Sequence, residues 1–347
     1  METSRLPSNT YLDHAATTPL LPQARAAMAQ GFVIWANPSS PHAAGRRARA
    51  ALEEARGRVK AVLGWDGELV FTSGASEAIA LAISRCVKPL AAVSEVEHEA
   101  VLRLAGEARR LPVNAGSGLV DAVGDGAVGL VAIQHANNET GVIQPLDRIA
   151  AELREAGGLL LADCAQTAGK IALPAADLVA ISAHKFGGPI GTGALLVRDW
   201  ALLRPSGGQE RGYRAGTENL PGALAMAAAL EAGADWMAEA RHLRERLEQG
   251  ILAAGGEVVA DSAPRIPTIG AYRMPGRSAQ AQLIRFDGMG IAVSAGSACS
   301  SGSLKTSHVL AAMRQEGANE VIRVSIGRET TEAGIDRFLA AWREIAG

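Results

Sequence analysis

Asp163, Lys185 and the small-residue turn before Ser76 each stand where a short apolar run ends. In α/β proteins ligands gather at the carboxyl ends of strands, so polar residues at such places carry information. TSGASEA (72–78) reads as a strand-to-helix junction, and a helix start offers unpaired N–H groups and a positive dipole end to a phosphate. Its plainer use is a cap made by Ser73 or Ser76. In LADCAQTAGK (161–170), Asp163 ends a very apolar run, where it either caps the next turn or faces a buried cation such as a pyridinium nitrogen. In ISAHKFGGPIGTG (181–193), Lys185 follows His184 and precedes Phe186 and a Gly-rich loop. Most lysines are simply solvated, but an apolar setting lowers an amine pKa and suits a Schiff base. The separation of Asp163 and Lys185 fits one crossover between neighbouring strand ends. A phosphate-type helix start, a strand-end Asp and a strand-end Lys, in that order, together favour a pyridoxal phosphate site over three unrelated structural features.

The elements that must hold these residues alternate along the chain. Arg46 to Leu63 and 76–86 have helical spacing, and 146–157 reads as an amphipathic crossover helix. The run 68–74 reads as a short strand, and 129–134, 158–163, 177–183 and 193–198 suit buried parallel strands covered by helices on both faces. Pro221 to Ala254 reads as almost continuously helical, and 322–327 and 332–347 as a strand and a helix. The expected fold is α/β, a large mostly parallel sheet domain over 15–250, with a smaller α+β domain made of 1–14 and 251–347. With 347 residues the chain has room for one large or two moderate domains. Its 34 basic against 36 acidic residues argue against a nucleic-acid partner. The 48% hydrophobic content excludes a disordered chain. No apolar stretch is long enough for a membrane helix, and the N-terminus lacks the pattern of a signal peptide. Three scattered cysteines, Cys86, Cys164 and Cys299, make no disulfide framework or metal cluster. A cytoplasmic protein is expected. The 39 glycines exceed the usual roughly 7% and call for many tight turns or close approaches.

The sequence resembles the cysteine desulfurases of the NifS/IscS kind, in the class V aminotransferase family of fold-type I pyridoxal phosphate enzymes. The markers run nearly end to end: YLDHAATTP (11–19), NPSSPHAAGR (37–46), FTSGASEA (71–78), EHEAVL (97–102), NNETGVIQP (137–145), DCAQTAGK (163–170), SAHKFGGPIG (182–191), GGQERGYRAGTEN (207–219), SAGSACSSGS (294–303) and IRVSIGRETT (322–331). The resemblance implies that Lys185 carries the cofactor and later moves protons on the substrate carbon. It implies that Asp163 keeps the pyridine nitrogen protonated, that Gln166 bonds the phenolic oxygen and that His98 stacks on the ring. Ala75, Ser76, Ser182 and His184 would hold the phosphate, and Thr217 would reach it from the other subunit of a homodimer. Asn138 and Arg323 would bind the substrate carboxylate, a task that suits a guanidinium.

Each residue also has a plainer reading. His98 could be a solvated helix-start residue, and Asn138 could shape the turn before Gly141. Arg323, inside an apolar strand, needs a partner in any reading, and a ligand carboxylate is favoured. Arg328 could pair with protein carboxylates. Cys299 lies in a run of small residues with no large apolar neighbour to bury it, which suits a nucleophile. Cys86 and Cys164 read as packing residues.

The implied reaction takes sulfur from L-cysteine, leaves a persulfide on Cys299 and releases L-alanine. A sulfur acceptor or iron–sulfur scaffold protein would take the sulfur, for cluster assembly or thiolation. A selenocysteine lyase or another class V lyase or aminotransferase would share the cofactor site. A non-catalytic sulfur-transfer homologue would have lost the lysine, aspartate or cysteine, and all three are present. GDGAVG (124–129) does not join a strand to a helix as a dinucleotide-binding turn does.

Overall fold

A computed structural model describes residues 10–124, 128–296 and 307–347. Its strands in chain order begin with β1 (Thr10–Tyr11), β2 (Glu68–Thr72), β3 (Leu90–Ser94) and β4 (Arg109–Leu111). Then come β5 (Leu130–Gln134), β6 (Leu159–Asp163), β7 (Leu178–Ser182) and β8 (Gly193–Val197). The last four are β9 (Glu257–Val258), β10 (Ile269–Arg273), β11 (Ile291–Ala292) and β12 (Val321–Ser325). The helices are α1 (Pro22–Val33), α2 (Ala43–Leu63), α3 (Ala75–Arg85), α4 (Glu99–Leu102) and α5 (Leu146–Glu155). They continue with α6 (Leu220–Glu231), α7 (Met237–Ala253), α8 (Ala279–Gly288), α9 (His308–Ala312) and α10 (Glu332–Ala346).

The main sheet has the order β2-β8-β7-β6-β5-β3-β4. Strands β5 to β8 are buried along their whole length, as the unbroken apolar runs require of strands covered on both faces. One expectation is corrected here. The run at 193–198 forms β8, which lies antiparallel to both β7 and β2, whereas β3 to β7 are mutually parallel. The reversal brings the start of β8 under the turn that opens α3, and a Cβ on Gly193 would lie 2.5 Å from the Gly74 Cα.

The stretch 221–254 is almost continuously helical, as expected, and is made of two helices. The break at 232–236 contains Gly233 in the left-handed region, which ends α6 and lets α7 set out in a new direction. Helix α6 is buried from Leu220 through Leu230, so its small residues pack on every side. Against it lies α1, where a Cβ on Gly31 would meet the Pro221 Cα at 2.5 Å. Gly31→Ala is therefore expected to destabilise the protein by about 1–3 kcal/mol, because the clash outweighs the ~1 kcal/mol of helix propensity gained. Thermal unfolding should show a transition several degrees lower, and an unchanged transition would mean that the two helices can move apart.

The apolar residues that do not face this sheet gather elsewhere. Leu12, Leu243, Leu247, Ile251, Phe286, Phe338 and Trp342 pack together around the three-stranded sheet β12-β10-β9 and the pair β1-β11. The segment after β1 then runs beside β12, with a bridge between Asp13 and Ser325 and a bond from the Ala15 N–H to Ser325 Oγ at 2.9 Å. This brings residues 13–16 against the carboxyl ends of the main sheet. Among the described residues, no helix is long and apolar enough to cross a membrane.

Candidate active site

A cavity of about 390 Å³ opens where β6, β7 and the start of α3 meet residues 15 and 16. Asp163 enters it from the end of β6 and Gln166 from the turn that follows. Ser182 ends β7, and His184 and Lys185 stand on the single helical turn directly after it. Adjacent parallel strands thus deliver the carboxylate and the amine side by side, as their separation in the sequence predicts.

Lys185 donates to the carbonyls of Ala15 and Ala16, at 2.5 and 2.9 Å. Gln166 Nε2 donates to the same Ala15 carbonyl at 3.0 Å, and its buried Oε1 has no partner among the described residues. Asp163 Oδ1 accepts from the Ala165 N–H at 2.9 Å. Burial pushes the Asp163 carboxyl up, against the pull of that amide, His98 and Lys185. His98 is the N-cap of α4, with Nδ1 accepting from the Ala100 N–H at 3.1 Å. Burial lowers its pKa and Lys185 adds to the lowering, while Asp163 opposes it. The neutral ring then carries its proton on Nε2. His184 meets Thr17 Oγ1 at 3.2 Å and is held down to about 4 by burial and by Lys185 and Lys170.

The start of α3 also lines the cavity. Its first helical bond runs from the Ala78 N–H to the Gly74 carbonyl, so the amides of Ala75, Ser76 and Glu77 have no acceptor within the helix. Gly74 at the N-cap provides no side-chain cap, so the expected capping role of Ser73 or Ser76 is not taken up. Glu77 Oε2 instead accepts from the Ser73 N–H at 2.6 Å.

Arg323, on β12, lines the cavity together with Asn138. Sequence reasoning favours a ligand carboxylate as its partner, but the protein supplies one. Nη2 donates to Asp13 Oδ1 at 2.7 Å and Nη1 to the Asn138 carbonyl at 2.9 Å, leaving the buried Nε without a partner among the described residues. Asp13 was missed because its role depends on a contact across 310 positions; its only local signal is a polar residue directly after the apolar Leu12. Arg328 also departs from expectation. It donates to the carbonyls of Ala232 and Gly233 and lies 5.4 Å from the Trp236 ring centre, tying down the end of α6 rather than pairing with a carboxylate.

One predicted residue among those described, Thr217, is not in this cavity. It lines a separate one of about 240 Å³ with Gly31, Trp35, Asn37 and Pro221. Cys299 lies outside the described residues. The other two cysteines are free and buried, in keeping with packing roles, and burial raises both thiols.

The mostly parallel sheet thus brings a lysine and an aspartate to adjacent strand ends, in one cavity with a helix start. Residues 10–338 match the family model described as aminotransferase class-V. The chain is 39% identical to a cysteine desulfurase of Cereibacter sphaeroides, over 95% of this chain and 93% of that one. It is also 39% identical to a cysteine desulfurase of Gluconacetobacter diazotrophicus, over 95% and 91% of the two chains. Among solved structures, a NifS-like protein from Rickettsia africae superposes with a TM-score of 0.88 at 30% identity, covering 97% of this chain and 99% of that one. A structure described as SspA in complex with cysteine superposes with a TM-score of 0.78 at 27% identity, covering 92% and 99%. The chain belongs to the class-V aminotransferases and, within them, to the cysteine desulfurase family.

Proposed function

We propose that this protein is a cysteine desulfurase that uses pyridoxal phosphate, takes sulfur from L-cysteine onto Cys299 and releases L-alanine. The observation that carries the reading is the meeting of Lys185, Asp163, Gln166, Arg323 and the start of α3 in one cavity. The donor set fits the cofactor. The orphaned Gln166 Oε1 is a buried polar atom that requires a partner. The buried Asp163 carboxylate matches a cationic ring nitrogen, and the unsatisfied amides of α3 match a phosphate. Lys185 would hold the group covalently, with His98 at its face and Ser182 and His184 beside Ala75 and Ser76 at its phosphate. When bound, pyridoxal phosphate supplies an electron sink for bond changes at the substrate's carbons.

The chain's own residues do the rest. The Lys185 amine, held by two backbone carbonyls beside neutral His98, is placed to carry a proton to and from the substrate. Asp13 and the Asn138 carbonyl hold the Arg323 guanidinium, and its Nε, which has no partner among the described residues, remains to donate. Asn138 stands beside it for the same carboxylate. The Cys299 thiolate takes the substrate sulfur, so that a sulfur–sulfur bond forms, the substrate's carbon–sulfur bond breaks and the substrate carbon gains a proton.

A homodimer is part of the proposal. Phe32, Val33 and Trp35, exposed by 53, 78 and 77%, form an apolar edge beside the cavity that holds Thr217. A second copy covering this edge would bring Thr217 to its own phosphate site. The persulfide would then pass to an acceptor protein in the cytoplasm, a location that accords with the unpaired Cys86 and Cys164.

Purified protein supplied with pyridoxal phosphate and L-cysteine should form L-alanine and a protein-bound persulfide in equal first-turnover amounts. Absence of alanine would overturn the assignment. Turnover of selenocysteine alone would move it to the selenocysteine lyases.

A further inference from the structure

Glu77 sets a charge problem at the phosphate end of the cavity. Its side chain lines the cavity in the first turn of α3, beside the amides proposed to receive a dianion. An uncompensated carboxylate there opposes anion binding. The compensation comes from far along the chain, where Arg214 Nε donates to Glu77 Oε1 at 2.7 Å and Nη2 to Oε2 at 3.3 Å. Both side chains are mostly covered, with 21 and 32% exposure, so water screens the pair only in part.

Arg214 rides the loop 207–217, and that loop is firmly seated. Glu210 is buried and forked onto Arg56, with Nη1 on Oε2 at 2.7 Å and Nη2 on Oε1 at 3.1 Å, and it also accepts from the Phe71 N–H at 2.9 Å. Glu210 and Arg211 adopt the left-handed backbone, φ 47° and 58°, which non-glycine residues keep only where the surroundings enforce it. The loop therefore fixes Arg214 on one side of Glu77 while the Ser73 N–H fixes it on the other.

We infer that Arg214 is a positioning residue for anion binding: it neutralises Glu77 and holds it on the Ser73 N–H, so that the first turn of α3 presents its free amides to a phosphate without a competing charge. The inference rests on the reading that this turn receives the cofactor's phosphate. Helix capping by Glu77 alone would give a different outcome, because a cap affects stability and leaves phosphate affinity independent of Arg214.

The test uses the full chain freed of cofactor and titrated calorimetrically with inorganic phosphate at low ionic strength. The unmodified chain should bind phosphate. Arg214→Ala should bind it about tenfold more weakly, with the difference shrinking as salt is raised. Glu77→Gln should bind at least as tightly as the unmodified chain, and the double variant Glu77→Gln/Arg214→Ala should return to within about threefold of it. Arg214→Lys keeps the charge and should lie near the unmodified chain, which guards against a loss caused by misfolding. Equal affinity in Arg214→Ala and the unmodified chain would overturn the inference alone, as would a double variant no better than Arg214→Ala. Failure of the unmodified chain to bind phosphate would overturn the phosphate reading and the inference with it.

Discussion

Replacing Lys185 with alanine should abolish both covalent capture of the cofactor and turnover of L-cysteine, the latter by at least about 10³-fold. The amine stands on the turn after β7, and its two carbonyl partners come from residues 15 and 16, so its position is set from two distant parts of the chain. The nearby Lys170 does not line the cavity and does not offer a substitute. It is buried, and desolvation with the adjacent charge of Lys185 brings its pKa down to about 7. Borohydride treatment followed by mass spectrometry checks the first part, since only a covalently held cofactor is fixed to the protein. A cofactor mass on the Lys185→Ala protein would sink the assignment. Unfolding temperature should change little, because the lost contacts lie beside a cavity rather than in core packing.

Cys299→Ser is the second large effect, and it separates two functions that Lys185→Ala removes together. Cofactor capture should be unchanged, whereas persulfide formation from L-cysteine should vanish and alanine release should fall by a similar ~10³-fold. Of the three cysteines in the sequence, Cys86 and Cys164 are buried and their thiols are shifted away from the thiolate, which is the form that attacks sulfur. Cys299 remains, in a setting of Gly and Ser that suits an accessible thiol. Mass spectrometry after exposure to L-cysteine should find one added sulfur atom on the unmodified protein and none on Cys299→Ser. Normal sulfur release by the variant would assign the nucleophile elsewhere.

Much of this site could be read from the sequence because its polar residues interrupt apolar runs at fixed places. Asp163 and Lys185 were legible for that reason, and so were the start of α3 and the crossover helix α5. The direction of β8 was not, since a strand buried on both faces carries the same apolar run whether it lies parallel or antiparallel to its neighbours. The helical character of 221–254 was legible, but not where the break falls, because Ala-rich sequence on both sides of Gly233 supports helix equally well. Arg323 was legible as a charge that needs a partner, but Asp13 was not legible as that partner. Arg214 was equally silent, for its value depends on Glu77, 137 positions earlier. Local spacing encodes elements and strand ends, while pairs closed by tertiary folding leave no local trace.

The bond between Asp13 and Arg323 also bears on how the enzyme is made. At a synthesis rate of ~5–20 residues per second, Asp13 waits roughly 15–60 s for a partner placed 310 positions later. The main sheet, with Asp163 and Lys185, is complete in sequence well before β12 emerges. A nascent chain can thus build the lysine end of its cavity while still lacking the guanidinium proposed to hold a substrate. On the proposed role of Arg323, competence to process an amino acid would arrive only with the last strand, β12.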